Sequence, residues 1–157
     1  MIRPARPDDV PAILKMIREL AEYEREPDAV EATEADIERA LFSEGAAAHA
    51  HIAEEGGEAV GFALWFLNFS TWTGRHGIYL EDLYVRPEMR GRGLGKALLT
   101  ELARVCAERG YRRLEWSVLD WNTPSIEFYR SLGARPMDEW TVFRLDGGAL
   151  DRLGGRG

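Results

Sequence analysis

The segment Tyr84-Val-Arg-Pro-Glu-Met-Arg-Gly-Arg-Gly-Leu-Gly-Lys96 constrains this chain more than any other. The residues before it, from His76 or Ile78 to Val85, read as a strand stopped by Pro87. After it, Leu94, Leu98, Leu102, Val105 and Cys106 share one face of a helix running from about Gly93 to Arg109, which Gly110 closes. Arg113 to Val118 then reads as a strand. A strand, helix and strand in this order predict two parallel neighbours joined by a right-handed crossover, splayed apart where the loop leaves. Gly91, Gly93 and Gly95 have no Cβ, so backbone N–H groups can come close to a ligand. Those groups stand at a helix N-terminus, where the dipole favours an anion. Arg90, Arg92 and Lys96 add positive charge to a chain whose formal net charge is −7. The combination fits a pyrophosphate cradle.

Two other phosphate motifs fail on their residues. A Walker A loop needs glycine at position 90 and serine or threonine at 97, where the chain has Arg90 and Ala97. A dinucleotide fingerprint needs a third glycine, but Lys96 or Leu98 stands there, depending on the starting glycine. Arg-x-x-Gly-x-Gly fits, as Arg90-Gly-Arg-Gly-Leu-Gly95.

The remaining elements build a mixed sheet around this unit. Ile2–Arg3 reads as a short strand. Pro7-Asp8-Asp9 starts an amphipathic helix to about Tyr23 that carries Val10, Ile13, Leu14, Ile17, Leu20 and Ala21. Thr33 and Asp36 resemble a capping box for a second helix ending near Phe42. Strands follow over 47–54 and 59–68, joined at Glu55-Gly-Gly57. Thr123 to Ser131 reads as a short helix, Trp140 to Leu145 as a last strand, and the residues from about 150 to 157 as a frayed tail. The order β-α-α-β-β-β-α-β-α-β predicts an α+β fold, a mixed sheet with helices on both faces. With 157 residues, one domain over 1–157 is expected.

Charge and cysteine usage narrow the function. An acidic chain is a poor match for nucleic acid, and no such partner is expected. Nine carboxylates and one base, Arg25, fall between Glu19 and Glu38, either a solvated face or a rim that attracts a cationic substrate. Cys106 is the single cysteine, so no internal disulfide forms, and its place on the apolar helix face gives it a core role. Residues 1–14 lack a signal-peptide pattern, and the most apolar stretch, Gly61 to Phe69, is too short to span a bilayer. A cytoplasmic protein without membrane contact is expected. His49 and His51 share one strand face, but two histidines alone make no metal site, and no metal is expected.

On these motifs the sequence resembles the GNAT acetyltransferase superfamily, whose cofactor loop is Arg/Gln-x-x-Gly-x-Gly/Ala. Tyr79-Leu-Glu-Asp-Leu-Tyr-Val85, Trp121-Asn-x-Pro-Ser125 with Phe128-Tyr129 and Gly133-Ala134, and Leu20-Ala-Glu-Tyr-Glu24 are similar to its spermidine/spermine (diamine) and thialysine acetyltransferase branch. The resemblance implies acetyl-CoA as cosubstrate, direct transfer to a small amine, and a homodimer. Residue by residue, it implies pantetheine against the backbone of Leu83, Tyr84 and Val85, and pyrophosphate at Arg90, Gly91, Arg92, Gly93, Leu94, Gly95 and Lys96. Asn122 and Ser125 would lie beside the pantetheine or thioester, and Tyr129 near the sulfur. Tyr23, Glu24, Glu81, Asp82 and Trp140 would line the acceptor channel. The short turn at Glu55–Gly57, where some relatives have an insertion, leaves the acceptor open.

Amine acetylation needs a neutral amine, so a carboxylate must bind the ammonium and take its proton, directly or through water. Regular strand alternation would put Glu81 and Asp82 on opposite faces, with only one lining the site; the resemblance favours Glu81. A phenol can protonate the leaving thiolate, and Tyr129 is the candidate. Two other readings compete, a non-catalytic acetyl-CoA sensor and an acetyltransferase acting on protein N-termini or lysines.

Overall fold

The computed structural model describes residues 1–156. The chain forms two compact units, Met1–Leu119 and the residues from Asp120 onward.

The first unit is built on one five-stranded sheet, β1 (Ile2–Pro4), β2 (Ala48–Glu55), β3 (Glu58–Ser70), β4 (Arg75–Val85) and β5 (Leu114–Trp116), in that spatial order. The first four are antiparallel, and β5 runs parallel to β4. That parallel pair is the one expected from the strand–helix–strand order. Pairing runs from Ile78–Leu114 to Leu80–Trp116 and ends there, while β4 continues to Val85. The loop therefore leaves β4 beyond the point where its parallel neighbour has stopped.

Helices α1 (Val10–Tyr23) and α2 (Glu34–Phe42) pack on one sheet face. Val10, Ile13 and Met16 of α1 and Ile37 and Leu41 of α2 bury against Ala50, Ile52, Phe62 and Tyr84 of the sheet. Arg3 locks the start of α1 with two hydrogen bonds to buried Asp9, at 2.8 and 2.9 Å. Asp9 also accepts from the Arg6 N–H at 2.7 Å. The expected capping box of α2 forms: Asp36 N–H donates to Thr33 Oγ1 at 3.2 Å, and Thr33 N–H to Asp36 Oδ2 at 2.9 Å.

Helix α3 (Leu94–Arg109) follows the glycine loop and buries Leu94, Leu98, Leu99, Leu102, Val105 and Cys106. It packs on β2, β3 and β4, on the face carrying His51 and Trp65.

In the second unit, α4 (Thr123–Ser131) ends at Gly133, which adopts φ of 91°. The strand expected over Trp140–Leu145 does not form; Val142 and Phe143 are 86% and 92% exposed. The residues after it include a helix, α5 (Gly147–Leu153), where a frayed tail was expected from about Leu150.

Candidate active site

The glycine loop has the backbone that a pyrophosphate cradle requires. Gly91 and Gly93 adopt φ of 80° and 77°, a region that side chains with a Cβ rarely enter. Gly93 is the N-cap of α3 and, as glycine, offers that terminus no side-chain cap. Gly95 differs from both. Its backbone is not left-handed, and a Cβ there would meet no protein atom within 4 Å. Glycine inside a helix costs about 1 kcal/mol relative to alanine, and nothing in the protein itself needs it here. A ligand lying against the first turn of α3 would give it a reason, and the loop has room for the phosphates of a nucleotide-type cosubstrate. Upstream, Leu83, Tyr84 and Val85 pair on one side with Ala63, Phe62 and Gly61, and β5 does not reach them on the other. That edge can take an extended, amide-bearing chain by strand-like hydrogen bonding.

Glu81 and Asp82, the carboxylates expected at the acceptor, are arranged differently from the sequence expectation. In the β3–β4 ladder Leu64 pairs with Asp82 and Trp65 with Leu80, so Glu81 has no partner. This β-bulge breaks the alternation of side chains. Asp82 takes the face of Leu64, the face covered by α1, whereas Leu80 takes that of Trp65. Alternation from Leu80 puts Glu81 on the α1 face too, so the two carboxylates share it instead of opposing each other. Glu24, just past the end of α1, joins them. Burial and the neighbouring charge of Glu81 push the Glu24 carboxyl up. Asp82 is half-buried, and burial, Glu81 and Glu24 push its pKa up to about 7. Glu81 is exposed. Three carboxylates thus meet at the end of α1, with the half-buried Asp82 able to exchange a proton near neutral pH.

One network here escaped the sequence reading. Buried Tyr84 donates its hydroxyl to Glu19 Oε1 at 3.0 Å, and the Arg90 guanidinium faces the rings of Tyr23 and Tyr84. Nothing in residue spacing links a helix to a loop so far along the chain.

The second unit carries the other expected residues. Asn122 is buried and caps α4, its Oδ1 accepting from Ser125 N–H at 3.4 Å. Tyr129 lies on α4 beside Phe128, ring centroids 5.5 Å apart. Trp140 is 64% exposed.

Comparison with known proteins decides the family. The model for the acetyltransferase (GNAT) family matches residues 13–134. The chain belongs to the GNAT acetyltransferase family. It is 40% identical to the thialysine N-epsilon-acetyltransferase of Sus scrofa, over 99% of this chain and 98% of that one. It is 35% identical to the human spermidine/spermine N(1)-acetyltransferase-like protein 1, over 92% of this chain but 22% of the longer relative. A solved integron cassette protein from the mobile metagenome of V. cholerae superposes with a TM-score of 0.82 at 27% identity, covering 98% of this chain and 96% of that one. This GNAT protein is an N-acetyltransferase of the family that generally uses acetyl-CoA, and a purely sensory role is set aside.

Proposed function

We propose that this enzyme moves the acetyl group of acetyl-CoA onto the primary amine of a small cationic acceptor, a thialysine-like amino acid or a polyamine. The observation that carries the reading is the shared face of Glu24, Glu81 and Asp82. Three clustered carboxylates suit an ammonium ion, and the names of the similar proteins point to the same class of acceptor.

Residues 90–96 form the pyrophosphate loop, with the phosphates against residues 91–96 and Arg90 at its head, and Leu83, Tyr84 and Val85 pair with the pantetheine. The family resemblance assigns Asn122 and Ser125 to the thioester, and Tyr23 and Trp140 to acceptor binding. A lysine-like ammonium has a pKa near 10.4, so at pH 7 its neutral form lies about 4.6 kcal/mol uphill. Glu24 and Glu81 hold the cation. Asp82 takes its proton, directly or through one water, and so is the better base; Glu81 keeps a positioning part. The freed nitrogen lone pair attacks the thioester carbonyl and an N–C bond forms; the nitrogen then gives its second proton to solvent water, and the C–S bond breaks. The thiolate then takes the phenolic proton of Tyr129, and solvent resets both side chains. What supports Tyr129 is its place in the Trp121–Ala134 motif and its position on a helix capped by Asn122.

The 157 residues would work as one acetyltransferase domain in the cytoplasm. A homodimer is supported by Val142 and Phe143, whose exposure in one chain calls for a cover. No metal enters this chemistry.

Comparing Asp82→Asn with Glu81→Gln tests the site. Asp82→Asn should lose about 10²–10⁴-fold in kcat, the usual range for general base catalysis, and Glu81→Gln mainly raise the acceptor KM. Full turnover in Asp82→Asn would remove it as the base.

A further inference from the structure

Arg90 opens the cofactor loop but reaches away from it. Its Nε donates to the carbonyl oxygen of Val85 at 3.0 Å, which folds the loop back on the end of β4. Its guanidinium carbon lies 5.4 Å from the ring centroid of Tyr23 and 5.8 Å from that of Tyr84. Both distances are within cation–π range. Tyr84 is itself fixed, because its hydroxyl donates to Glu19 at 3.0 Å. Burial and that hydrogen bond push its pKa up to about 12, so it remains a donor at working pH. Arg86 Nε approaches the same Glu19 oxygen at 3.8 Å.

Glu19 and Tyr23 stand one turn apart on α1, at i and i+4, and therefore on one face. Glu19 grips the end of β4 through Tyr84 and Arg86. Tyr23 grips the first residue of the glycine loop through Arg90. The residue after Tyr23 is Glu24, one of the three acceptor carboxylates. The contacts thus form a continuous path from the end of α1 to the loop, through two rings and a guanidinium.

We propose that Arg90 is a positioning residue, clasped between Tyr23 and Tyr84, that couples acceptor binding at the end of α1 to cosubstrate binding at the glycine loop. The inference rests on the proposed function, because it needs acetyl-CoA at the loop and an amine at the carboxylates. Linkage makes the coupling reciprocal, so an acceptor also tightens or loosens CoA by the factor that CoA exerts on the acceptor. A loop arginine serving only as a charge for the pyrophosphate would ignore Tyr23.

Calorimetric titration of CoA into the full-length enzyme and four variants tests this. Tyr23→Leu, although on the acceptor side, should weaken CoA about 2- to 5-fold, which is about 0.5–1 kcal/mol and the size of an exposed cation–π pair. Tyr23→Phe keeps the ring and should keep wild-type affinity. Arg90→Gln should weaken CoA, and adding Tyr23→Leu to it should cost nothing more, because the pair is already broken. Unchanged affinity in Tyr23→Leu, or an equal loss with and without Arg90, overturns the coupling while leaving the loop as the CoA site. Failure of the wild-type enzyme to bind CoA at all would overturn the proposed function, and the coupling with it.

Discussion

Glu81 and Asp82, adjacent in sequence, present their carboxylates on the same sheet face, because Glu81 drops out of the ladder between the Leu64–Asp82 and Trp65–Leu80 pairs. Glu24, just past the end of α1, feels Glu81 and acts on Asp82. Burial, reinforced by the neighbouring charges of Glu81 and Glu24, pushes the Asp82 pKa up to about 7, whereas an isolated aspartate ionises near 3.8.

This raised pKa makes a pH signature. Asp82 must be ionised to accept a proton, so kcat/KM should fall on the acid side with an apparent pKa of about 7. Removing a neighbouring charge favours ionisation, and Glu24→Gln or Glu81→Gln should move that limb to lower pH. Stability should follow the same proton. The folded state holds it more tightly than the unfolded chain, so this carboxyl favours folding below about pH 4 and loses that advantage as pH rises to about 7. Asp82→Asn should gain stability relative to wild type over that window, read from urea midpoints at pH 5 and pH 8. A limb unmoved by either glutamine variant would assign it to another group.

Gly95 offers a cleaner test of the cosubstrate loop than Gly93. At Gly93 the φ of 77° would strain any side chain, confounding binding with folding. Gly95→Ala meets open space and should raise helix stability by up to about 1 kcal/mol while weakening CoA. Thermal unfolding and calorimetry on the same variant check both signs. Unchanged CoA affinity would leave the glycine at 95 unexplained.

Tyr129→Phe keeps the ring beside Phe128 and removes only the hydroxyl. Turnover should fall by about 10²–10⁴-fold with CoA affinity nearly unchanged. Wild-type turnover would pass protonation of the thiolate to water or to another side chain.

The place of the glycine loop is legible in the sequence because glycines between a strand and a period-3.6 helix leave few structures to choose from. The Thr33–Asp36 capping box and the parallel β4–β5 pair followed from equally local signals. The carboxylate arrangement did not, because alternation assumes an unbroken pleat and no residue type announces that Glu81 is skipped. The segment Trp140–Leu145 has strand-like residues, but composition cannot provide the neighbouring strand that a ladder needs. The helix at Gly147–Leu153 was hidden by the two glycines that begin it. The clasp of Arg90 between Tyr23 and Tyr84 joins residues more than sixty positions apart, beyond the reach of local pattern.

Acceptor choice tests the central claim most directly. Acetyl-CoA consumption should be followed at matched pH with thialysine, spermidine and a neutral-tailed monoamine of similar length, at low and high salt. The carboxylates at the end of α1 predict that the two polar, multiply charged acceptors give the higher kcat/KM. Their KM should rise with salt, because solvent-exposed charges act over about 8 Å at physiological ionic strength. Glu24→Gln should narrow the gap to the monoamine. Equal use of the monoamine, with no effect of salt or of Glu24→Gln, would reduce the acidic residues to a solvated surface and contradict a cationic-amine acetyltransferase.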